Sequence, residues 1–234
     1  MRIIETKAYQ FNELEPEAQA RAIKKWQDAE ASSGDNYWSE FVIEEAVREG
    51  RLLGFSFDER ARRSMSGKPL PGEPCIYWSG FWNQGDGACF EGSWSARDCL
   101  ANAGKAAADW GCLKDKAGNH SPRCPTCELR TISKALLVEA KEFPEASFRV
   151  THRGHYQHEH CTDFSFRYNY DEDEPGDADK WEQAQEQLQD LSRSFMRWIY
   201  WQLESAYEYQ LSEENARESI LANEYEFTEG GERI

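Results

Sequence analysis

Hydrophobic positions change their period several times along this chain, and each change marks an element. Residues 2–11 alternate through Ile3, Ile4, Tyr9 and Phe11, the pattern of a first strand. Pro16 then stands where a helix begins, because its missing N–H is not needed in a first turn. Ala18, Ala22, Ile23 and Trp26 follow on one helical face. Ser32-Ser33-Gly34-Asp35 breaks that helix, and a second one carries Trp38, Phe41, Val42, Ala46 and Val47 as far as Gly50, a residue suited to end it. Leu52 to Phe57 reads as a strand. Residues 60–74 hold three arginines, a lysine, two glycines and three prolines, and read as an exposed loop.

Two aromatic runs come next, at about 75–81 and 88–94, separated by Gln84-Gly85-Asp86-Gly87. Glycines around an aspartate permit a tight turn, so the runs predict a β-hairpin with a polar tip. Residues 98–127 are rich in alanine and glycine and then in cysteine, and read as an insertion. Glu128 to Glu142 has helical spacing (Leu129, Ile132, Leu136, Leu137, Ala140), and residues 146–154 and 161–170 alternate as strands. Asp171 to Asp179 forms an acidic turn. A long helix from about Ala178 to Leu211 repeats Trp181, Ala184, Leu188, Leu191, Phe195, Trp198 and Leu203, and Ser212 caps a last helix. Strands in the middle with helices at both ends predict an α+β fold: an antiparallel β-sheet packed with helices, with a long C-terminal helix. The predicted domains are an α+β core over 1–170, with the cysteine-containing insertion at about 98–127, and an acidic helical region over 171–234.

Three segments also carry a resemblance. They are Tyr77-Trp78-Ser79-Gly80-Phe81-Trp82-Asn83-Gln84-Gly85-Asp86-Gly87-Ala88-Cys89-Phe90-Glu91-Gly92, then Gly154-His155-Tyr156-Gln157-His158-Glu159-His160-Cys161-Thr162-Asp163-Phe164, then Ala222-Asn223-Glu224-Tyr225-Glu226-Phe227-Thr228-Glu229-Gly230. In that order they resemble the segments of a family of small bacteriophage and prophage proteins with a GFxxQGDGAxFxG signature. Some members carry the label of antitoxin of a toxin–antitoxin system. The resemblance implies a mobile-element origin and antagonism of a bacterial protein.

Charge refines that expectation. The net charge is −16, and it is unevenly placed. Residues 171–234 hold 18 of the 43 acidic side chains and 5 of the 27 basic ones. Such a field repels nucleic acid and attracts basic surfaces, which argues against direct DNA or RNA binding. It reads either as a solvated helical face or as a docking surface for a basic partner. In the second reading Asp171, Glu172, Asp173, Glu174, Asp177, Asp179, Glu204 and Glu208 steer association, and Trp201 anchors it. No run approaches the about 18 apolar residues of a membrane span, and residues 1–7 are too polar for a signal peptide. The host cytoplasm is the expected location, where the seven cysteines would be thiols or metal ligands.

Two constellations offer chemistry. Cys112, His120, Cys124 and Cys127 have the inventory of one closed, structural zinc site, with Cys-Pro-Thr-Cys as its knuckle. The other reading of these residues is thiols on an insertion. The second constellation is His152, His155, His158 and His160 with Cys161 and Asp163, which would lie beside the Gln84–Asp86 tip in an antiparallel sheet. Asp86 with His155 and His158 could then bind a metal or perform acid–base work; the alternative is a structural polar network.

Three functions compete on this evidence. The first is a phage or prophage protein that antagonises a bacterial protein or ribonucleoprotein by occupying a basic surface. Its target would be a host defence complex, as for an anti-CRISPR inhibitor, or a toxin, as for an antitoxin. The second is a metal-dependent enzyme using Asp86, His155 and His158, and the third a structural phage accessory protein. For the zinc reading, Cys124→Ser combined with Cys127→Ser releases one equivalent of zinc in metal analysis of the purified protein; an unchanged zinc content contradicts it.

Overall fold

The computed structural model describes residues 7–34, 36–109, 124–168 and 177–234, with the side chains of 103–109 and 177 left aside. In chain order the elements are β1 (Tyr9–Gln10), α1 (Pro16–Ser33), α2 (Tyr37–Leu52), β2 (Phe55–Phe57), β3 (Glu59–Arg63) and β4 (Pro69–Pro74). Then come β5 (Ile76–Trp78), β6 (Ala88–Phe90), β7 (Gly92–Ser95), α3 (Ala96–Asp109), α4 (Pro125–Glu142) and β8 (Ser147–His152). The last are β9 (Thr162–Arg167), α5 (Asp177–Gln210), α6 (Glu213–Ala222) and β10 (Glu226–Phe227). The fold is α+β, with antiparallel sheets and a long helix, α5, toward the C-terminus. Among the described residues, no helix is long and apolar enough to cross a membrane.

Contacts divide the chain into two compact units, residues 41–202 and residues 1–40 with 203–234. This division does not coincide with the one at residue 170 drawn from composition: it falls within α2 and α5, each of which contributes to both units.

The larger unit is built on a four-stranded antiparallel sheet in the order β2-β7-β8-β9. Its register places Phe55 opposite Trp94, Trp94 opposite Phe148, and Phe148 opposite Phe166. One aromatic row therefore crosses every strand on a single face, because directly opposed residues share a face. Trp94 and Phe148 stack with centroids 5.3 Å apart, and Phe148 and Phe166 lie 5.1 Å apart. The neighbouring row is Ser56, Ser93, Arg149 and Ser165, which is polar and faces away, as a period of two requires.

Helix α5 covers the aromatic face. Phe195, fully buried, stacks on Phe55 at 5.2 Å and also meets Phe90, while Trp181 meets Phe166 edge-on at 6.1 Å. Leu188, Ser192, Met196 and Ile199 complete the buried stripe. Beside the sheet, β5 and β6 form the expected hairpin, pairing Ile76 with Phe90 and Trp78 with Ala88.

Gly50 does not end α2. It lies inside the helix, where a Cβ would stand 2.5 Å from the Phe57 ring, and the left-handed residue that follows the helix is Gly54, with φ at +93°. The exposed loop expected at 60–74 is exposed, but it is a ribbon formed by β3 and β4. The predicted insertion begins as α3 and ends as the first turn of α4; its middle lies outside the described residues.

The smaller unit has its own core of Phe11, Leu14, Ala18, Ala22, Ile23, Ala216, Ile220 and Phe227. The helices α1 and α6 enclose it, and β1 pairs with β10, which brings Tyr9 opposite Phe227. Of the first strand predicted at 2–11, residues 2–6 lie outside the described residues; the strand at Tyr9–Gln10 has the tail segment as its partner. Ser212 caps α6 as expected, accepting the Asn215 amide at 3.1 Å.

Truncating the middle of the aromatic row leaves a cavity that rigid neighbours cannot fill. Phe148→Ala should cost about 3–5 kcal/mol in urea unfolding, whereas Phe41→Ala, at a side chain 72% exposed, should stay within about 0.5 kcal/mol.

Candidate functional site

Two of the segments singled out by sequence meet at one place in the larger unit: the β5–β6 turn, residues 79–87, and the β8–β9 connection, residues 153–161. A Cβ on Gly85 would lie 3.0 Å from the Tyr156 ring, and one on Gly87 would lie 3.1 Å from the Gln157 carbonyl oxygen and from His158. Glycine suits this close approach at both positions, and at Gly85 the positive φ of +95° favours it as well.

Asp86 organises its own turn. Its Oδ2 accepts the Asn83 amide at 2.7 Å and the Trp82 amide at 3.0 Å. The Asn83 bond, helped by those from Trp82 and Ser79, outweighs partial burial and holds the carboxyl below its ordinary range. A carboxylate so held stays ionised and is a poor proton donor, so Asp86 is placed as a structural cap beside the histidines.

Of the four histidines only His152 lies on a strand; His155, His158 and His160 lie in the β8–β9 connection. His152 ends β8, stacks on Tyr77 at 5.2 Å, and reaches the Tyr156 carbonyl oxygen at 3.1 Å. Glu91 accepts the Tyr77 hydroxyl at 2.8 Å and the His152 amide at 3.3 Å. Burial, with the Glu91 bond adding, raises the Tyr77 phenol well above its ordinary value. His155 is exposed and packs edge-on against Tyr156 at 5.5 Å.

Glu159 stands between the remaining two histidines. It is buried, 3.2 Å from His158 Nδ1 on one side and 3.3 Å from the Arg197 guanidinium on the other. The rings of His158 and His160 lie nearly parallel at 5.3 Å. Cys89, buried close by, has its thiol pushed up to about 12 by burial, with the charges of Cys161, Glu91 and Glu159 adding.

Helix α5 holds both loops with one face. Arg197 reaches Glu159 in the β8–β9 connection, and Tyr200, three residues on, donates its hydroxyl to the Gly80 carbonyl at 2.9 Å. Tyr200 also packs on Phe81 at 5.4 Å. Sequence reasoning missed Glu159, Arg197 and Tyr200. The first was legible as an acid between two histidines, but the other two are marked only by tertiary contact.

The predicted zinc ligands are placed only in part. Cys124 is the N-cap of α4 and Cys127 lies in its first turn, near α5, whose Trp198 indole donates to the Pro125 carbonyl at 3.1 Å. Cys112 and His120 lie outside the described residues. Among the predicted docking residues, Asp171 to Glu174 and the Asp177 side chain also lie outside. Asp179 is exposed near the start of α5, and half-buried Trp201 and Glu204 and exposed Glu208 stand toward its other end.

Residues 38–213 match a family described as a domain of unknown function, DUF8835. The chain belongs to this family. The DUF8835 match takes in both loops and the whole of α5, and it leaves β1, α1 and β10 outside. No curated protein and no solved structure matches the chain.

The Asp86 cap has a definite pH signature. A depressed folded-state value means that its contribution is complete above the ordinary carboxylate value of 3.8 and is lost as pH falls through the lower folded value. Asp86→Ala should therefore lose about 1 kcal/mol of stability near neutrality and little in strong acid, as measured by urea unfolding across pH.

Proposed function

We propose that this protein works by binding, and that its smaller unit docks on a basic surface of a bacterial protein. The observation that carries the reading is the distribution of charge. The smaller unit, 1–40 with 203–234, holds 17 acidic and 7 basic side chains, whereas the larger unit holds 26 and 20. The excess acid sits where solvent reaches it: Glu17 and Asp28 on α1, Glu208 on α5, Glu213, Glu214 and Glu218 on α6. Of these six acids, Asp28 pairs with Lys24 at 2.7 Å and Glu213 with Arg217 at 2.8 Å, which leaves Glu17, Glu208, Glu214 and Glu218 without an ion pair among the described residues. Elsewhere in the unit, Lys25 pairs with Glu232. The neighbouring charge of Glu218 raises the Tyr209 phenol, with burial and Glu214 adding.

A concentrated field of this kind accelerates encounter with a basic partner and disfavours acidic ones. Nucleic-acid-handling machines present basic surfaces. With the phage resemblance of the three motifs, this supports antagonism of a host defence complex or of a toxin. In that role the acids occupy a surface otherwise used by nucleic acid, and aromatic side chains supply apolar contact.

Capture of the tagged protein's partner from a bacterial lysate tests this. The partner should be retained after nuclease treatment, lost in high salt, and lost from the variant Glu208→Lys, Glu214→Lys, Glu218→Lys while the variant's circular dichroism is unchanged. A partner that binds the variant as well as the wild type, at any salt, contradicts the proposal.

A further inference from the structure

The structure assigns His158, Glu159 and His160 as a binding site for one divalent transition-metal ion of the zinc class, with a coordination position left open at the surface. This goes beyond the docking function and does not depend on it. Among the described residues this is the one set whose ligand atoms come together, all within 4.8 Å of one another. Consecutive residues on a strand would face opposite ways. Here the β8–β9 connection turns them together: the Cys161 amide donates to the His158 carbonyl at 2.8 Å, and the Thr162 hydroxyl to the Glu159 carbonyl at 2.6 Å.

Glu159 is the anchor. A buried carboxylate requires positive partners, and Arg197 supplies one to a single oxygen. The other oxygen faces His158 Nδ1 at 3.2 Å. That same Nδ1 accepts the His160 amide at 3.2 Å, so it carries a lone pair, the state in which imidazole ligates a metal. Two lone-pair atoms are thus set side by side. A proton on Nδ1 would serve the carboxylate but confront the His160 amide. A metal cation accepts electron pairs from both, and the His160 ring, nearly parallel to that of His158 at 5.3 Å, brings a third donor atom within 4.8 Å of them.

The chemistry of the donors selects the ion. Two imidazole nitrogens and one carboxylate oxygen suit zinc, cobalt or nickel, whereas calcium and magnesium require more oxygens. Three protein ligands leave a fourth position, and His160 is exposed, so water or a donor atom of another molecule reaches it. Arg197, itself held by the Ser194 hydroxyl at 2.8 Å, orients the carboxylate from outside the ligand set.

The test uses the full chain carrying Cys124→Ser and Cys127→Ser, freed of metal and titrated with Co²⁺ under visible spectroscopy and calorimetry. One equivalent should bind, with no thiolate charge-transfer band. His158→Ala or His160→Ala should weaken binding by at least about tenfold, and Arg197→Gln by about 10- to 100-fold. No binding, a thiolate band, or undiminished affinity in the double variant His158→Ala, His160→Ala overturns the assignment. Because a variant that fails to fold would also lose metal, the imidazole NMR signals of the unmutated histidines are followed as Zn²⁺ is added. Shifts at His158 and His160 larger than those at His152 and His155 support the site; equal or absent shifts overturn it.

Discussion

Packing across the row Phe55, Trp94, Phe148 and Phe166 determines where the rest of the larger unit can go. Four large rings in register make one face of the sheet apolar over its whole width, and that face has to be covered. Helix α5 covers it, with Phe195 stacked on Phe55 and Trp181 against Phe166. Once Phe195 is fixed inward, the phase of the helix is fixed as well. Arg197 and Tyr200 then emerge on a face that reaches the two loops, where they hold Glu159 and Gly80. The site geometry is in this sense a consequence of the core: the same helix that closes the sheet positions the charge that anchors the histidine cluster.

Much of this was legible in the chain. Alternation disclosed β8 and β9, and the flanked Gln-Gly-Asp-Gly disclosed the β5–β6 hairpin. The 3.6 periodicity of α5 disclosed its length and its buried stripe, because burial on one side leaves a regular record. The juxtaposition of the Gly-Asp-Gly turn with the histidine segment was also anticipated. Its cause was not, since the absence of a Cβ at Gly85 and Gly87 matters only once Tyr156 and His158 are known to press there. The other departures have the same origin. Gly50 has the composition of a helix end but serves ring packing, and β10 is too short to show a period. The salt bridge from Glu159 to Arg197 joins residues with no local relation.

Charge and chemistry occupy different units. The acidic excess belongs to the smaller unit, where α1 and α6 close over an apolar core and leave their outer faces to carboxylates. The histidines, the capped Asp86 turn and the buried Glu159 belong to the larger unit, which the DUF8835 match covers. Reading the acidity as a property of the last quarter of the sequence therefore understates its organisation. The N-terminal helix contributes its own acids to the same unit, and the acids named near the start of α5 belong to the other one. The docking proposed for the smaller unit and the ligation proposed for the larger rest on different residues, so a variant can test either without the other.

Amide hydrogen exchange of the purified protein, alone and bound to its captured partner, tests the docking account most directly because it reports which surface becomes covered. The account predicts slower exchange concentrated in the smaller unit, in α1, α6 and the segments flanking them. Protection confined to residues 79–87 and 153–161, with α1 and α6 unchanged, would contradict it and would assign partner recognition to the histidine loops of the larger unit.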